Sequence, residues 1–194
     1  MNKAITISLF LYTAFCTTSY AGSFFPKYDI NNSELPKTTV MAQCQKSLMH
    51  APKQLESWCE KAYKLGYWQA LEYIGLYTGD GSRYISELNR RTESGELDPI
   101  FALAWNYSYG RFVSRDLEKS ISLFNLYLND NTQQEKVRLN SVHEELLLIY
   151  EELGNTAKSA EHKKYLENND DIKIKNVMLK KQLEAAGVYL NIND

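Results

Sequence analysis

The 194-residue sequence predicts an all-α chain built from antiparallel helix pairs. Two observations carry that expectation. Apolar residues recur at intervals of three and four through most of the chain, which is the pattern of a helix with one buried face. Short turns bearing Gly, Pro or Asn interrupt these runs and send the chain back on itself. The clearest case is 98–128, DPIFALAWNYSYGRFVSRDLEKSISLFNLYL. In its first half Leu103, Ala104, Tyr107 and Gly110 set a small position beside a large one on a single face, so a neighbouring helix can approach closely. After Gly110, Asp116 stands where an N-cap belongs, and Leu117, Ile121, Phe124 and Leu128 follow at helical spacing. Neither helix can hide its apolar face alone.

Leu103, Ala104, Tyr107, Gly110, Val113, Asp116, Lys119 and Ser120 fit the spacing L-G-x-x-Y-x-x-G-x-G-V-x-x-D-x-x-K-A. That spacing resembles the Sel-one-like repeat, a close relative of the tetratricopeptide repeat. Three positions depart from it: Pro99 at the first Ala of the motif, Ala104 at its helical Gly, and Phe112 at its second loop Gly. A weaker copy lies upstream at Ala70, Ile74, Gly75 and Gly81, with Thr78 in the Tyr position. Another lies downstream at Leu146, Tyr150, Gly154, Ser159 and Leu166, as a helix, a Gly-Asn turn and a second helix. The resemblance covers residues 67–168 and implies an α-solenoid of antiparallel helix pairs, with a C-terminal capping helix over its open end.

Taken in order, residues 1–21 have a basic start at Lys3, an apolar run over 4–16 and the ending Ser19-Tyr20-Ala21, the anatomy of a cleavable signal peptide. Phe15 before Cys16 argues against a lipoprotein, because a lipobox needs a small residue there. The expected address is the periplasm. Residues 22–37, with Pro26, Pro36 and the run Asn31-Asn32-Ser33, read as an extended lead-in to a single domain over 38–194.

Residues 38–66 read as a helical hairpin turning at His50-Ala51-Pro52, with Val40, Cys44 and Leu48 on one arm and Leu55, Cys59 and Ala62 on the other. Once residues 1–21 are removed, Cys44 and Cys59 are the remaining cysteines. An even pair in an exported chain suggests a disulfide clipping the two arms, with two buried thiols as the other reading. Residues 67–97 form a degenerate repeat whose connector TGDGSR holds Gly79 and Gly81, both free to take positive φ. That connector lacks the Lys and Ser/Thr of a phosphate loop. The run 90–99, RRTESGELDP, reads as a linker to the central repeat at 98–130, and NDNTQQEK separates this from a tetratricopeptide-like repeat at 133–168. Val177, Leu179, Leu183 and Ala186 then mark a capping helix at 171–190.

The formal charge of −2, becoming −3 when Lys3 is lost with the leader, provides no basic stripe for nucleic acid or anionic lipid. No run after the leader is apolar for long enough to span a bilayer. Catalytic patterns are also missing. His50 sits in a turn beside a proline, His143 begins a helix, His162 among Glu161, Lys163 and Lys164 reads as a solvated face, and neither a His-x-x-x-His or His-Glu-x-x-His pairing nor a Gly-x-Ser-x-Gly elbow occurs. No cofactor, metal or enzymatic activity is expected.

The resemblance implies instead that the first helix of each repeat lines a concave groove. Phe101, Trp105 and Tyr109, at i, i+4 and i+8, form an aromatic stripe there, although the same spacing also suits a core. Glu72 and Leu76 flank it on one side, and Glu144, Leu148 and Glu151 on the other. Aromatics ringed by carboxylates suit a partner protein or peptide with apolar anchors and basic flanks. The expected function is a periplasmic protein–protein interaction adaptor, and the family resemblance extends to envelope machines such as type VI secretion. The alternatives are an inhibitor or immunity protein of a periplasmic enzyme and, further off, a cell-wall hydrolase or glycan binder.

Overall fold

Eight α-helices and one 3-10 turn make up the residues described by the computed structural model, 28–130 and 136–169, and no strand occurs among them. The helices are α1 (Lys37–His50), α2 (Leu55–Lys64), α3 (Ala70–Thr78), α4 (Ser82–Glu93), α5 (Leu97–Tyr109), α6 (Leu117–Asn129), α7 (Lys136–Glu152) and α8 (Thr156–Glu167). Each packs against its successor, α1 also touches α3, and one apolar core runs from Val40 on α1 to Tyr150 on α7. The expected signal peptide at 1–21, the start of the lead-in and the expected capping helix at 171–190 lie outside the described residues.

Local chemistry sets the helix ends. Gly110 closes α5 in the left-handed region at φ 67°, a conformation that costs glycine little. Six residues later Asp116 donates its backbone N–H to the Tyr107 carbonyl at 2.9 Å and caps α6 by accepting the Lys119 N–H at 2.9 Å. Between the two helices, the Ser120 hydroxyl donates to the Ala104 carbonyl at 2.9 Å, and both residues are fully buried. A larger side chain at either position would hold the helices apart. At the α7–α8 turn, Gly154 (φ 69°) and the α8 cap Asn155, which accepts the Lys158 N–H, repeat the same logic.

Phe112 is the non-glycine residue with positive φ, 62°, among the described residues. Its ring lies against the α3–α4 pair, edge-on to Tyr84 at 6.1 Å. A Cβ on Gly81 would fall 2.1 Å from Phe112 Cγ, and one on Gly75 would fall 3.1 Å from Phe112 Cζ. The sequence expectation for the TGDGSR turn is thus half right. Gly79 takes φ 79°, but Gly81 has φ −92°, a conformation open to any residue. Gly81 has to be small because a ring from the next helix pair occupies the space of its side chain.

Two other expectations change in detail. The linker at 90–99 is helical through Glu93 and again from Leu97, so the break is three residues long, with Gly95 at φ 77°. Arg91 spans it, bonding Glu87 and Glu96 at 2.7 Å each. Pro99 falls in the first turn of α5, where a missing N–H costs no helical bond. The described end of the lead-in is turned and pinned rather than extended: Lys61 Nζ donates to the Ile30 and Asn32 carbonyls at 2.6 and 2.9 Å. Cys44 on α1 and Cys59 on α2 are both buried, with their sulfurs at bonding distance, 2.03 Å.

Candidate functional site

Helix α5 is apolar on two sides. Leu103 and Ala104 enter the core, and Phe101, Trp105 and Tyr109 form a ridge beside them. Phe101 contacts Tyr127 and Phe124 at centroid distances of 5.5 and 6.3 Å, and Trp105 meets Phe124 perpendicularly at 6.0 Å. These two rings are half-buried, so they serve the core as well as the surface. Tyr109 is 59% exposed and stacks on Trp105 at 5.2 Å with the planes 3° apart.

A cavity of about 350 Å³ opens against this ridge, lined by Glu72 from α3, Tyr84 from α4, Phe101, Trp105 and Tyr109 from α5, and Arg111 from the loop after it. Ala102 and Asn106 complete the lining. Arg111 Nη1 donates to Glu72 Oε1 at 2.9 Å at the exposed edge. Burial and the Glu72 carboxylate push the Tyr84 phenol well above its ordinary value, while Arg111 and the Asn106 amide act against them.

The structure therefore gathers Phe101, Trp105, Tyr109 and Glu72 around one cavity. Leu76, 44% exposed, lies one turn along α3 from Glu72. Glu144, Leu148 and Glu151 are exposed on α7, outside the lining of the cavity. The acid of α7 that reaches the stripe is Glu145. It is 5% exposed, and its carboxylate accepts from the Ser108 hydroxyl and, at 2.9 Å, from the Tyr109 hydroxyl. The sequence carried a signal for this. Val142, Glu145, Leu146 and Ile149 fall at i, i+3, i+4 and i+7, so residue 145 occupies a position on the buried stripe of α7. No protein family, curated protein or solved structure matches this chain.

The lining pairs aromatic surface with one carboxylate and one guanidinium, already joined to each other. Among the described residues, no group of three or more His, Cys, Asp or Glu stands close enough to hold a metal ion, and no helix is long and apolar enough to cross a membrane. The histidine expectation is corrected. His162 does not face solvent: it is 6% exposed and its Nδ1 lies 2.9 Å from Nδ1 of His143. Tyr165 stacks on His143 at 3.5 Å, and Tyr150 on His162 at 5.6 Å. Ser159, His162, Tyr165 and Leu166, at intervals of three, three and one, are the residues that α8 turns inward. On so polar a helix, imidazole acts as core.

Proposed function

We propose that this chain is a periplasmic interaction adaptor that holds a segment of a partner protein against the face made by α3, α5 and α7. In this reading the helix pairs stack as a solenoid of Sel-one-like repeats, with the first helix of each pair on the binding side. The observation that carries it is that each of those helices exposes apolar side chains, among them Leu76 on α3, Tyr109 on α5 and Leu148 on α7, with Tyr77 and Val137 exposed as well. Leu76 lies one turn from the cavity residue Glu72, and Leu148 lies one turn from Glu145, which holds Tyr109. In this reading the three follow one another along one binding face, and apolar anchors between charged neighbours suit an extended or helical peptide. The cysteine pair at bonding distance supports an oxidising compartment. Assistance to an envelope machine such as type VI secretion rests on the family resemblance alone.

Because Phe101 and Trp105 are partly core, truncating them would test the fold as much as the site. The informative variant is Leu76→Ala, Tyr109→Ala, Leu148→Ala, all on exposed side chains. Crosslinking in intact cells followed by purification should recover a specific envelope protein with the native chain and lose it with the folded triple variant. An unchanged set of crosslinked proteins would overturn the proposal.

A further inference from the structure

The geometry points to a cation-recognition subsite: the cavity beside α5 takes a lysine or arginine side chain of the partner, which displaces Arg111 from Glu72. This deepens the adaptor reading and rests on it for the identity of the occupant. Four rings, from Tyr84, Phe101, Trp105 and Tyr109, contribute to the lining. Aromatic faces carry negative potential and attract cations, more strongly where water is partly excluded. Among the described lining residues, Glu72 alone is acidic, and it supplies the counter-charge.

The chain already places cations of its own at this ridge. The Arg111 guanidinium bonds Glu72 at 2.9 Å, and that of Arg138 stands 5.8 Å over the Phe101 ring. Arg111 is thus a resident stand-in, and it is displaceable. Its side chain is 54% exposed, the residue follows the glycine that ends α5, and a partly exposed ion pair of this kind is weak. A basic side chain entering the cavity exchanges one cation for another at Glu72 and adds contact with the rings. A neutral anchor has no such use for Glu72, and an acidic one is repelled by it. The exposed carboxylates of Glu144 and Glu151 on α7 add negative charge of the same sign for a basic segment to approach.

The test uses choline and its neutral isostere 3,3-dimethylbutan-1-ol as probes, titrated into the full chain. The indole N–H resonance of Trp105, assigned through Trp105→Phe, reports binding. Choline should move that resonance and bind about tenfold more tightly than the alcohol. Glu72→Gln should abolish most of the preference, and Arg111→Gln should tighten choline binding by removing its competitor. Arg111 is exposed, Glu72 is half-buried at the cavity edge where glutamine keeps its shape, and circular dichroism of both variants checks that the fold is intact. Equal affinity for the two probes, no shift of the resonance, or weaker choline binding by Arg111→Gln would each overturn the subsite. A positional-scanning hexapeptide library on the same proteins separates this from the adaptor reading. Enrichment of Lys or Arg at one position, lost in Glu72→Gln, supports both. Peptide binding without a basic preference removes the subsite and leaves the groove. Selection of choline without any peptide binding removes the groove and leaves the subsite.

Discussion

Gly81 and Phe112 show how one side chain fixes the spacing of two helix pairs. Glycine is needed at 81 for space and not for backbone freedom, since its φ of −92° suits any residue. The Cβ of Gly81→Ala would collide with the ring of Phe112, so this change should cost about 2 kcal/mol by overpacking. Adding Phe112→Gly should return much of that loss, and a double-mutant cycle from chemical denaturation measures the coupling. Additive effects would show that the ring is not the cause.

The buried histidines make a second residue-scale prediction. Burial is the main reason that both lie below the ordinary imidazole value, His143 at about 4, with His162 itself adding to the shift of His143. Glu161 pulls the other way on both, and Lys158 adds to the depression of His162. Below about pH 6.5 the unfolded chain takes up protons that the folded pair does not, so stability is full above that value and falls as the pH drops toward 4. After allowance for the partial exposure of His143, the loss should be about 2 kcal/mol. Thermal melts from pH 7 to 5 should fall more steeply for the native chain than for His162→Gln, and parallel slopes would contradict the assignment.

Among the elements, the α1–α2 hairpin depends most on a single bond. Cys44 and Cys59, 15 residues apart, join α1 to α2 in the core. Closing a loop of that length restricts the unfolded chain by about 3 kcal/mol. Cys44→Ala, Cys59→Ala should lower the unfolding free energy by about that amount. Alkylation of the unreduced, denatured protein followed by peptide mapping should leave both residues unlabelled. Label on both would show that the hairpin is held by packing alone.

The helices themselves were largely legible in the sequence, because their signals are local. Gly110 and Asp116 mark the α5–α6 turn, Gly154 and Asn155 mark α7–α8, and Pro52 opens the 3-10 turn before α2. The site was legible in part. Phe101, Trp105 and Tyr109 stood out by period, and Glu72 by the phase of its repeat. Tyr84 and Arg111 did not, because their arrival at the cavity depends on how one helix pair sits on the next, which no local pattern encodes. His162 was misread for a related reason. Its charged sequence neighbours describe the exposed side of α8, and only the packing of α7 shows which side is buried.

At the scale of the molecule, each helix leans on the next along the chain, so the exposed face is assembled from pieces that are far apart in sequence. Few single residues carry this face, and its ion pairs, Arg111 with Glu72 and Arg115 with Glu152, are partly exposed and weak one by one. Each joins neighbouring helix pairs: Glu72 on α3 to Arg111 in the loop after α5, and Arg115 of the same loop to Glu152 on α7. In the proposed function a partner lies on this face. The most direct measurement is site-specific photo-crosslinking in living cells, with a photoreactive residue in place of Tyr109 and, separately, in place of Leu126, which is exposed on α6. Position 109 should give one discrete adduct and position 126 none. An adduct from 126 alone, or from neither position, would contradict the proposed function.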